Sequence, residues 1–142
     1  MTYDYKSHKI VAIISDNLES WQAMNVLGHI AISLGANKDE MLMGRDVLLD
    51  KDSVAHKGIA RFGFIIKKGT AQQIADIIAK ARNTANMTII DFPREMLDTR
   101  HDDELAEALA AKHTSDLEYL GAVLYGATGE VDSLTKGFKL WS

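Results

Sequence analysis

The sequence predicts a three-layer α/β/α domain, with helices on both faces of a mixed, mostly parallel sheet of about four strands. Two observations carry that expectation. Short β-branched apolar runs alternate along the chain with stretches whose apolar residues recur at helical spacing. The connections between them are brief, and no repeat, low-complexity segment or break in composition divides residues 1–142, so a single α/β domain around one core is expected.

The KIVAIIS run at 9–15 reads as a buried strand, and Asp16 and Asn17 after it suit the cap of a helix that runs to about Leu34 and stops at Gly35. The stretch 42–49 reads as a loop entering a short strand at 46–49. RFGFIIK at 61–67 is the next strand, ended by Lys68 and Gly69. Thr70 can cap a following helix in which Ile74, Ile77, Ile78 and Ala81 form one apolar face down to Arg82. A short strand at 87–90 is closed by Asp91, Phe92 and Pro93. Residues 102–112 suit a surface helix, with acids at its start and a lysine at its end as the helix dipole prefers. YLGAVLY at 119–125 is a further strand, 126–129 a glycine-bounded turn, and 130–135 a short helix stopped by Gly137.

Composition narrows the function classes. A chain of 142 residues can bury about two thirds of its unfolded surface. Its 46% hydrophobic and 25% charged content is that of a globular protein rather than a disordered one. No apolar run approaches the roughly 18 residues that span a bilayer, and the polar segment 1–9 has no signal-peptide core, so a cytoplasmic protein without membrane association is expected. The absence of cysteine removes disulfides, thiolate nucleophiles and Cys-ligated metal centres. Sixteen basic against twenty acidic side chains give a net charge of −4, with Lys67-Lys68 and Lys136/Lys139 the only local basic groupings. Tight binding to a nucleic-acid backbone, which needs a concentrated basic surface, is not expected.

The leading candidate site is a stripe of polar residues, Gln22, Asn25, His29 and Ser33, in an otherwise mostly apolar helix. At about 100° per residue they fall within roughly 80° of one another. A helix that is apolar elsewhere should be largely covered, and polar groups on it then need hydrogen-bond partners or a ligand. His29 can act as acid or base near neutral pH, a carboxylate such as Asp91 could orient its ring, and Asn25 or Gln22 could hold a carbonyl or oxyanion. That set would permit hydrolysis of an activated ester, while the plainer alternative leaves His29 and Asn25 as satisfied groups packed against a loop. Among other groupings, His101 with Asp102, Asp103 and Glu104 has metal-ligand side chains that point in different directions on a helix, so no metal site is expected there. Gly126 to Gly129 reads as a turn rather than an anion loop. His56-Lys57-Gly58 reads as a solvated loop, with a flap over the stripe as its alternative. Trp21 could stack on a ligand or pack on the sheet or on a partner subunit, and packing is favoured.

Several of these segments resemble the type II peptidyl-tRNA hydrolases. The strand followed by Asn17-Leu18 and a helix carrying His29-Ile30-Ala31 is similar to that family's first strand and helix. Leu120-Gly121-Ala122-Val123 and Val131-Asp132-Ser133-Leu134-Thr135, followed by Phe138-Lys139-Leu140-Trp141, resemble its closing strand and helix. Thr88-Ile89-Ile90-Asp91, with Arg94 beyond Pro93, is similar to the strand ending in its Asp-Ala-Gly-Arg segment. The whole chain resembles a bacterial-type family of unknown function that shares this hydrolase fold. The hydrolase reading takes His29 and Asp91 as the catalytic pair and Gln22, Asn25, Ser33 and Thr135 as substrate contacts, with no cofactor and no metal expected. Placed from His29, however, the family's two lysines fall on Ser20 and Gln22, its intervening glycine on Trp21 and its glutamine on Val26. Loss of both cations removes the reason to expect tight tRNA binding. Two functions therefore stand open: a hydrolase of a small ester or amide, or a non-catalytic domain of the same fold that binds a small molecule or a protein, with a homodimer as a further expected assembly.

Overall fold

The computed structural model describes residues 3–37 and 41–142; the first two residues of the polar amino-terminal stretch lie outside them. Five strands form the main sheet, β1 (His8–Ser15), β4 (Phe64–Gly69), β5 (Thr88–Pro93), β6 (Tyr119–Ala127) and β7 (Lys139–Leu140), in the order β5-β6-β1-β4-β7. A separate hairpin pairs β2 (Val47–Leu49) with β3 (Ala55–Lys57). The helices are α1 (Ser20–Ala36), α2 (Ala71–Arg82), α3 (Glu95–Asp98), α4 (Asp102–Ala110) and α5 (Thr128–Thr135).

The α/β class expected from the sequence is present, but the sheet is mostly antiparallel and has five strands. Among the described residues only β1 and β4 pair in parallel; β6 runs antiparallel to both β1 and β5, and β7 antiparallel to β4. The reason is topological. The segment β1-α1-β4 is a crossover that keeps strand direction, whereas β6 enters late in the chain between β1 and β5 and points the other way.

Alternation along β1 divides the core between the two faces of the sheet. Ile10, Ala12 and Ile14 pack with Ala23, Val26, Ile30 and Leu34 of α1. Val11 and Ile13 pack with Ile74, Ile77 and Ile78 of α2 and Val131 of α5. The apolar face expected for α2 is the buried one, and the Thr70 hydroxyl caps it by accepting the Gln73 amide at 3.1 Å. On the other face α1 comes so close to β6 that a β-carbon on Gly121 would lie 2.7 Å from Val26 Cγ1.

Other boundaries moved for local reasons. Helix α1 starts after Glu19, whose amide donates to Gln22 Oε1 at 3.0 Å in a capping box, and it continues through Gly35. The segment containing His56 is not an irregular loop but the second strand of a hairpin, whose turn Asp50 closes by accepting the Asp52 and Val54 amides. Asp91, Phe92 and Pro93 lie within β5 rather than after it, because β6 carries ladder pairing to its end. Strand β6 itself extends to Ala127 and α5 begins directly at Thr128, so residues 126–129 form a strand-to-helix junction in place of a free turn.

Candidate functional site

An open cleft of about 730 Å³ wraps over the edge strand β5. Helix α1 contributes His29, Ile30 and Ser33, the end of α2 contributes Arg82, β5 contributes Ile89 to Phe92, and Met96, Thr99, Arg100, His101, Asp102 and Leu105 come from α3, α4 and their connection. Its lining is mixed: six apolar side chains form an apolar floor beside eight polar or charged ones, the carboxylates of Asp91 and Asp102 among them, in a volume that suits a small molecule.

The cleft collects residues from both faces of the sheet because, among the described residues, β5 has no neighbour on its outer side. Ile90 and Phe92 turn toward α1, and Ile89 and Asp91 toward α2. Asp91 accepts a hydrogen bond from Arg82 Nη2. Burial is the larger influence on this carboxyl and raises it above its ordinary value, while the Arg82 charge pulls it back. The His29 ring is exposed and tilted against Phe92, with ring centres 6.1 Å apart. Among the described residues no hydrogen bond reaches its imidazole, from Asp91 or from any other group. His101 caps α4, its Nδ1 accepting the Glu104 amide at 3.3 Å, which leaves Nε2 as the nitrogen for a ligand. The Arg100 guanidinium has no ion pair among the described residues.

The polar stripe on α1 is therefore split. His29 and Ser33 line the cleft. Asn25 is exposed outside it, and the Gln22 side chain closes the capping box. The stripe is not covered by another element, contrary to the expectation from the apolar character of α1. Thr135 is corrected as a substrate contact: it is fully buried on the α2–α5 side of the sheet and its hydroxyl donates to the Val131 carbonyl at 2.7 Å. Its carbonyl accepts Lys67 Nζ at 2.9 Å. Arg94 is likewise occupied elsewhere, its Nε and Nη2 donating to the two oxygens of Glu118 at 2.5 and 3.1 Å, which holds the Glu118 carboxyl below its ordinary value. Among the described residues no three His, Asp or Glu side chains converge as a metal site, and the acids following His101 fan out along α4.

Arg82 and Arg100 were not legible as site residues. Arg82 ends a helix on the far face, and only the wrap of the cleft around β5 brings it beside Asp91. In the sequence His101 stands out by its acidic neighbours, whereas its place in the cleft depends on the chain turning between α3 and α4.

Fold and site together define a mixed α/β domain with a ligand-sized cleft across one sheet edge. Residues 8–142 match the family described as "Protein of unknown function (DUF2000)", and the chain belongs to that family. A solved structure of a protein of unknown function, Atu0240 from Agrobacterium tumefaciens strain C58, is similar to it with a TM-score of 0.84 and 21% identity, over 96% of this chain and 98% of that one. At that identity the likeness is one of fold. No curated protein matches the sequence. Among the described residues no helix is long and apolar enough to cross a membrane.

Proposed function

We propose that the protein binds a small anionic molecule, a carboxylate or phosphate ester with an apolar body, in the cleft over β5. The observation that carries this reading is the Arg100 guanidinium, unpaired among the described residues, in a cleft that also holds two imidazoles and an apolar floor. Arg82 is neutralised by Asp91, so Arg100 is the cation to which an incoming anion adds the most. His29 and His101 Nε2 supply hydrogen bonds, Ser33 a hydroxyl, and Ile30, Phe92, Met96 and Leu105 the apolar contact. Titration of a panel of small carboxylates and phosphate esters, followed by backbone amide resonances, should shift residues of α1, β5 and α4, with at least tenfold weaker binding in Arg100→Ala. A panel that leaves those resonances unmoved would exclude the reading.

Hydrolysis of an ester or amide is the second reading, favoured by the unpartnered imidazole of His29 and by the resemblance to type II peptidyl-tRNA hydrolases. In it His29 acts as base through water, and Asp91, held by Arg82, shapes the field of the cleft rather than orienting the ring. Activated ester substrates discriminate the two readings: turnover that survives unchanged in His29→Ala is not this site's chemistry. In neither reading does the net charge of −4 support tight tRNA binding at physiological salt. A filter-binding titration giving sub-micromolar, steeply salt-sensitive affinity would contradict that.

A further inference from the structure

Helix α1 carries no charged side chain in its seventeen residues. Ala23, Val26, Ile30 and Leu34 are buried, and the polar stripe flanks them on the side of the cleft. The opposite flank is apolar and uncovered. Trp21 is 60% exposed, Met24 71% and Ile32 74%, and a β-carbon on Gly28 or Gly35 would meet nothing within 4 Å. The indole N–H of Trp21 is already satisfied by Glu19 Oε2 at 2.8 Å, so the ring is left to pack. Beside this face runs an apolar groove of about 230 Å³ between α1 and the end of the chain, lined by Ile14, Met24, Leu27, Ile66 and Trp141. Exposed apolar side chains gathered on one helix face beside an apolar groove are a mark of an interaction surface.

We propose that this face of α1 binds a second copy of the chain, with the two α1 helices antiparallel about a two-fold axis at Gly28. The pattern is self-complementary around that point. The axis sets Gly28 against Gly28, Met24 against Ile32, and the Trp21 ring over Gly35, so a large side chain meets a small one or a matching one at each layer. Equal patches related by a two-fold are what an isologous dimer requires. Glycine at the axis lets the backbones approach, antiparallel helix dipoles attract, and no charge on either helix is desolvated. Trp141 on the rim of the groove and the neighbouring Leu140, both exposed, extend the apolar surface beyond the helix itself. The cleft over β5 lies on the other flank of α1 and stays open in such a dimer, so the assembly is independent of the ligand reading.

The cysteine-free sequence makes the test direct. Light scattering on the purified protein should give about twice the chain mass of 15.7 kDa. Gly28→Cys, which places a thiol on the axis, should cross-link to itself under mild oxidation, while Lys80→Cys, on the exposed side of α2, should not. Met24→Glu should give a monomer with unchanged circular dichroism. A wild-type protein that stays monomeric at high micromolar concentration overturns the proposal. So does a dimer that persists in folded Met24→Glu, or a Gly28→Cys protein that fails to cross-link, since the contact would then lie elsewhere.

Discussion

Asp91 and Phe92 are consecutive in β5 and serve opposite faces of the sheet: the Asp91 carboxylate meets Arg82 of α2, and the Phe92 ring lies 6.1 Å from the His29 ring of α1. Side chains alternate along a strand, so two groups drawn from neighbouring positions of β5 cannot both point at α1. The cleft reunites them only because β5 is an edge strand around which a ligand can reach.

This placement gives Asp91 a defined pH signature. Burial raises its carboxyl above the ordinary value despite the Arg82 charge. A carboxyl with a folded value above its unfolded one binds its proton more tightly in the native state. Its stabilising contribution is complete below the unfolded value and is lost as pH rises through the folded one. Asp91→Asn has no such transition. Urea unfolding of the two proteins at matched pH should show the wild type gaining stability relative to the variant as pH falls from neutral into the carboxylate range. The opposite trend would mean that attraction to Arg82 outweighs burial.

The contact between His29 and Phe92 separates a binding group from a core group. His29 is exposed and has no hydrogen bond among the described residues, so His29→Ala should change unfolding free energy by less than about 1 kcal/mol. Phe92 is buried between β5 and α1, and Phe92→Ala should cost about 3–5 kcal/mol. Denaturant midpoints with unchanged slopes measure both. A loss above about 2 kcal/mol for His29→Ala would mark it as structural and remove it from the site.

Gly121 tests the packing of α1 on the sheet. A side chain there would push into Val26 Cγ1 from 2.7 Å and approach Ile14 Cδ1 at 3.2 Å. Gly121→Val should therefore lose about 1–3 kcal/mol, even though valine favours strands, as thermal unfolding would record. A gain in melting temperature would show that α1 shifts freely.

The elements that could be read from sequence were those with their own punctuation. Thr70 and the Ile74, Ile77, Ile78 and Ala81 face announce α2 almost to the residue, and the β-branched run announces β1. The direction and number of strands could not be read, because an apolar run such as YLGAVLY has the same composition whichever way its neighbours run. Within the closing segment that resembles the hydrolase family, Leu120 and Val123 are fully buried and Leu134 partly so, whereas Leu140 is 66% exposed because β7 is a two-residue edge. His29 was identifiable as a candidate from its helical stripe. Its neighbours in the cleft were not, since Arg82, Arg100 and His101 come from segments far apart in sequence that meet only around β5.

The position of β6 also sets the moment at which the molecule becomes complete. Among the described residues β5 has β6 as its only sheet neighbour, and β1 waits for its second partner on the order of a hundred residues further along the chain. During synthesis β1, α1 and β4 can gather, but no sheet pairing joins them to β5 until residues 119–127 are available. Closure of the sheet therefore rests on these long-range pairings, whose loop-closure entropy must be overcome before the contacts repay it. A chain interrupted before β6 lacks the strand that holds β5 beside β1, and with it the framework that sets α1 against β5.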